Sequence, residues 1–212
     1  MKPRFPLVVL FVGHAALFAA LFAGPAMNPA AAQTPKELLS PPSDLSHNRH
    51  GESTYSLDTL FSALKIAPDR TSAKAIEERI WAVWIESGSD TCDLLMTRVK
   101  DAIEDQNYDL AIRLLDSIIA IKPGYVEAWN QRATVYYLKD DYPHAIADIA
   151  EVLAHEPRQF GALAGLGLML QEIGDDKDAL DAYRKALAID PHLENIPDAV
   201  KTLTEKVEGR DI

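Results

Sequence analysis

The chain has 212 residues, 48% of them hydrophobic and 25% charged, with a formal net charge of −11 and a single cysteine. That composition suits a globular fold with a sizeable core. The acidic balance disfavours nucleic acid and anionic lipid as partners over most of the surface and favours neutral or basic ones, and one cysteine excludes an internal disulfide.

Residues 1–32 carry the three parts of a cleavable secretory signal: Lys2 and Arg4, an apolar stretch from Leu7 to Phe22, and the small residues Ala30-Ala31-Ala32. Cleavage is expected between Ala32 and Gln33, giving a periplasmic protein. The alternative is an uncleaved membrane anchor, which would give membrane contact. Against it, Gly13 and His14 interrupt the stretch and Gly24-Pro25 ends it, whereas a spanning helix needs about 20 apolar residues. No cysteine stands at the end of this stretch to take a lipid. Without the leader the chain has 19 cations against 32 acids, a net charge of −13.

Residues 33–56 are rich in Pro, Ser and charge and lack apolar periodicity, as expected of a flexible tether. His47 and His50, with Glu52 close by, have metal-ligand chemistry but no packed scaffold to fix its geometry. No metal or cofactor is assigned. Within 57–88, Leu57, Leu60, Phe61 and Leu64 predict a short helix, and Ile76, Ile80, Trp81, Val83, Trp84 and Ile85 give the next helix a wide apolar face. That face is expected to lie against the short helix on one side and the following hairpin on the other, the pair being a degenerate repeat or an N-terminal cap. An exposed cage of tryptophans is disfavoured because large aromatics are usually buried. Cys92 follows Ser89-Asp90-Thr91 at a helix start. The helix dipole would favour a reactive thiolate there, but Asp90 and Asp93 oppose it, and a small buried side chain is the preferred reading.

From here a period of 34 appears: Pro123, Pro157 and Pro191 share it, and so do Ala111, Ala145 and Ala179. Leu115, Ile149 and Tyr183 occupy a third equivalent position, and Ile118, Val152 and Ala186 a fourth. Each unit divides at a polar turn (Gln106-Asn107, Lys139-Asp140-Asp141, Gly174-Asp175-Asp176) into two apolar-periodic stretches, which predicts antiparallel helical hairpins. In the third unit Leu163, Leu166 and Leu170 face Ala179, Tyr183 and Ala186, with Gly167 and Ala179 allowing close approach. After the last unit, Leu193, Ile196, Val200, Leu203 and Val207 predict an amphipathic capping helix over 194–208.

These residues resemble the tetratricopeptide repeat. The unit 126–159 supplies Trp129, Ala133, Tyr136, Ala145 and Pro157, with Arg132 and Ile149 departing from the pattern. The unit 160–193 supplies Leu166, Gly167, Ala179, Tyr183, Ala186 and Pro191. The unit 92–125 is divergent, keeping Leu95, Ala111, Leu115 and Pro123 but placing Arg98, Val99 and Ala102 off the pattern. The resemblance implies an all-α solenoid of three repeats that binds protein segments in its concave face. The family's groove positions fall here on Met96 and Lys100, on Asn130, Thr134 and Tyr137, and on Ala164, Leu168 and Gln171. Equally open is that these residues are plain solvent-exposed positions or pair with the capping helix. One family subtype grips a C-terminal carboxylate with basic groove residues; Gly161 and Gly165 stand at those positions of the last repeat, so that activity is expected to be absent. With the leader and with "IEERIWAVWIESGSDTCDLLM" at 76–96, the chain also resembles small exported repeat proteins of Gram-negative envelopes.

No catalytic constellation is evident. "HEPRQ" at 155–159 is not the zinc-protease motif, no glycine-rich phosphate loop is present, and His144 and Asp148 read as a surface pair one helical turn apart. The leading expectation is a non-enzymatic envelope adaptor or scaffold for other envelope proteins or their peptide segments. The alternative is a self-assembling structural protein whose repeats pack between chains; oligomeric state is left open.

Overall fold

Residues 56–209, those described by this computed structural model, form nine helices with no strand among them, six of them started by a Ser, Asp or Asn side chain that caps the first turn. The leader, most of the tether, and His47 and His50 lie outside the described residues. The helices are α1 (Leu57–Lys65), α2 (Arg70–Ile85), α3 (Asp90–Glu104), α4 (Tyr108–Ile121), α5 (Val126–Leu138), α6 (Tyr142–His155), α7 (Phe160–Ile173), α8 (Asp176–Ile189) and α9 (Ile196–Val207).

The 34-residue period governs the turns as well as the cores. Asn107, Asp141 and Asp175 cap α4, α6 and α8, each side chain accepting the backbone N–H three residues on. The residue before each cap is left-handed: Gln106 at φ 57°, Asp140 at 59° and Gly174 at 91°. That conformation returns the next N–H to the preceding helix, from Asn107 to Ala102 O (2.8 Å), Asp141 to Tyr136 O (2.9 Å) and Asp175 to Leu170 O (2.8 Å). Only Gly174 adopts it without a Cβ penalty.

So α3 pairs with α4, α5 with α6 and α7 with α8, and successive hairpins stack through α4–α5, α6–α7 and α8–α9. The divergent first hairpin closes around Cys92, Val99, Ala102, Leu115 and Ile118, with Cys92 fully buried. In the third, Gly167 meets the face of Tyr183 so closely that a Cβ there would stand 2.6 Å from the ring. The capping helix buries Ile196 and Leu203, leaves Val207 partly exposed, and is tied back by Arg184–Glu208 (2.7 Å) and by Lys206–Asp176.

Arg132, which departs from the repeat pattern, has a structural task. Its Nε and Nη2 bind Asp148 at 2.8 and 2.7 Å, its Nη1 binds Asp116 at 2.6 Å, and its guanidinium lies 4.8 Å from the Trp129 ring centre. It thereby joins α4, α5 and α6. The expected His144–Asp148 pair is not formed: Asp148 is taken by Arg132, while His144 bonds Asp141 (2.8 Å) and stacks on Tyr136.

The N-terminal helix pair is placed differently from expectation. The apolar face of α2 does not stack on the first hairpin. Trp81 and Trp84 pack with Phe61 of α1 against Phe160 of the third hairpin, in a cluster that also holds Leu163, Ala164, Leu193, Ile196 and Leu203. The first hairpin is joined by the end of α2 and its connector, through Tyr125 Oη to Ile85 O (2.8 Å) and Lys122 Nζ to Ser87 O. The physical reason is size: three bulky rings from α1 and α2 need a broad apolar seat, which Phe160 and the glycine- and alanine-rich start of α7 supply.

Candidate binding groove

The first helices of the second and third hairpins, α5 and α7, line one wall of the stack, and α2 lies along this wall because it contacts both. It runs against the direction of the repeats. Arg70, at its start, reaches Glu194 before α9 (3.2 Å), and Ile85, at its end, meets Tyr125 before α5. The inter-repeat end of the wall is therefore occupied by the chain's own α1–α2 pair. Arg158, in the connection before α7, holds α1 from the side, binding Asp58 at 2.6 Å and lying 4.4 Å from the Phe61 ring centre.

This arrangement separates the expected groove residues. Asn130, Thr134 and Ala164 are buried at 0%, 1% and 0% exposure, so they do not face solvent or an incoming ligand. Asn130 Nδ2 donates to Glu127 Oε2 (3.1 Å), Thr134 Oγ1 donates to Asn130 O (3.0 Å), and Ala164 lies in the cluster with the tryptophans. Leu168, half-buried, packs at the edge of that cluster. Tyr137 is also half-buried; its hydroxyl donates to Glu172 (2.9 Å), as does that of Tyr142 (2.7 Å), and the two rings meet edge to face. Gln171 is exposed and accepts from Tyr183 Oη (3.2 Å). Met96 is half-buried, and Lys100 is exposed beside Glu104 (4.0 Å). The open part of the wall is thus its turn end, around Tyr137, Tyr142, Leu168, Gln171 and Glu172. Ala164 and Leu168 belong to the same apolar cluster as Ile196 and Leu203 of the capping helix.

The buried acids were not singled out by sequence reasoning. Glu127, in the first turn of α5, is buried with Asn130 and Gln131 donating to it; burial pushes its carboxyl up to about 7 against those donors. Glu77, in the middle of α2, and Asp190, at the end of α8, are buried near each other, and Asp190 Oδ2 has no hydrogen-bond donor among the described residues. Burial raises both, Glu77 to about 7, with Arg70 opposing the rise. One clue to these acids lay in the sequence: Glu77 interrupts the apolar face of α2 next to Ile76 and Ile80. No cluster of metal-binding side chains is found among the described residues, and no helix among them is long and apolar enough to cross a membrane.

Residues 96–154 and 139–194 match the family model described as tetratricopeptide repeat. A TPR repeat-containing protein of Rhizobium etli is 40% identical over 153 residues, covering 72% of this chain and 75% of that protein. The small glutamine-rich tetratricopeptide repeat-containing protein 2 of Saccharomyces cerevisiae is 27% identical over 146 residues, covering 68% of this chain and 41% of its own length. Among solved structures, the first TPR domain of Spaghetti (RPAP3) bound to an HSP90 peptide superposes with a TM-score of 0.53 at 16% identity, over 57% of this chain and 95% of that one. The MamA protein does so with a TM-score of 0.52 at 18% identity, over 72% and 81%. Both likenesses are of fold alone.

Proposed function

The chain belongs to the tetratricopeptide repeat family, and we propose that it is a non-enzymatic adaptor of the bacterial cell envelope that binds segments of partner proteins along its concave wall. Repeat solenoids of this kind act in general as interaction surfaces. The observation that carries the reading is that the wall formed by α5 and α7 already seats a helix, with Trp81 and Trp84 against Phe160. A wall that holds one amphipathic segment has the shape and apolar character to hold another. Tyr137, Leu168 and Gln171 at its turn end remain for first contact, with Met96 and Lys100 on the same wall further up. The acidic surface favours a neutral or basic segment. The leader pattern of residues 1–32 supports the envelope setting.

A photoreactive residue at Tyr137 or Leu168, introduced in cells, is expected to give adducts with envelope proteins, whereas the same group at exposed Ala150 on α6 is not. Adducts from Ala150 alone would remove the concave wall from the mechanism, and adducts confined to cytoplasmic proteins would remove the envelope setting.

A further inference from the structure

We infer that the α1–α2 pair is a releasable occupant of the concave wall, latched by two buried carboxyls, Glu77 and Asp190, that share a proton while the pair is docked. The two acids come from different elements and meet only because α2 lies on the wall. Asp190 is fully buried; its Oδ1 accepts from the His192 N–H (2.9 Å), and its Oδ2 has no donor other than a protonated Glu77 among the described residues. The guanidinium of Arg70 binds Glu77 and also Glu194 (3.2 Å). The groups facing the pair are therefore Arg70 on α2, with Asp69 at its cap, and His192 and Glu194 from the α8–α9 connection. Arg70 is shared between Glu77 and Glu194, and a proton between the buried carboxyls of Glu77 and Asp190 relieves their repulsion.

The other end of α2 is fastened by neutral and cationic donors instead. Asp190 is the third member of a 34-residue series whose first is Lys122, and Lys122 Nζ grips Ser87 O while Tyr125 Oη holds Ile85 O. The connector end is thus a pivot, and the Arg70 end is the one that lifts. Docking is also imperfect at Trp84 of α2, whose buried Nε1 has no hydrogen-bond partner among the described residues, a cost that is relieved when the helix lifts into water. The sign follows from the raised acids: docking is favoured while the pair holds its proton and weakens as pH rises through about 7. The docking equilibrium stands apart from any partner; only its consequence, access to the wall, rests on the adaptor reading above.

Amide hydrogen exchange of the full chain without partner, corrected for intrinsic rates, tests the latch. Between about pH 5.5 and 8.5, protection of α1–α2 is expected to fall at least about tenfold further than that of α5–α8, whose exchange follows global stability. Glu77→Gln donates to Asp190 and accepts from Arg70 at any pH, so protection should persist at the higher pH; Asp190→Asn serves as the second variant where the first fails to fold. Unchanged protection of wild-type α1–α2 across the range, a loss of the same size in α5–α8, or an α1–α2 pH dependence steeper than that of α5–α8 surviving in both variants would overturn the proposal.

Discussion

Replacing Arg132 by leucine, the residue usual at this position of the repeat, tests whether the ion cluster or the apolar pattern holds the middle of the stack. The Arg132 side chain is 16% exposed and that of Asp148 6%, so the two-point contact at 2.7 and 2.8 Å is largely removed from water. Asp116, at 51% exposure, contributes much less. Arg132→Leu leaves Asp148 buried without its cation, and breaking a buried pair in this way costs about 3 kcal/mol, the low end of the range because one edge is open to solvent. For a chain of this size that corresponds to a fall of about 6–12 °C in melting temperature. Adding Asp148→Ala removes the stranded charge and should restore most of the loss. The measurement is urea unfolding of the wild type, both single variants and the double, followed by far-ultraviolet circular dichroism. A loss below about 1 kcal/mol in Arg132→Leu would show that the pair behaves as a surface ion pair, and a double variant as unstable as the single would show that the stranded carboxylate is not the cause.

Two further outcomes are expected. Tyr183→Ala should cost about 3–5 kcal/mol by emptying the space over Gly167, and Gly167→Ala should also destabilise despite better helix propensity, because the added Cβ would meet the ring at 2.6 Å; paired urea titrations check both. Glu127 is raised to about 7 in the fold from 4.5, so it stabilises the fold fully below that lower value and less as pH rises through 7. Glu127→Gln should therefore flatten the decline in global stability between about pH 5 and 8 without altering the pH dependence of α1–α2 opening, as unfolding midpoints and hydrogen exchange on the same samples would show.

What the sequence determined by itself is local and repeated. Pro123, Pro157 and Pro191 stop helices, Asn107, Asp141 and Asp175 start them, and Ala111, Ala145 and Ala179 let paired helices close, all within one 34-residue frame. Each of these effects acts within a turn or two of the residue responsible, so the hairpins and their order could be read without coordinates. The seat of α2 could not, because Trp81 and Trp84 specify only that a large apolar surface must cover them, not which one. Phe160, far along the chain, supplied it. The same choice buried Ala164 and set Glu77 against Asp190, two acids 113 positions apart. Contacts of that separation depend on which closed arrangement of the whole chain removes most apolar area from water, and only the tertiary structure decided it.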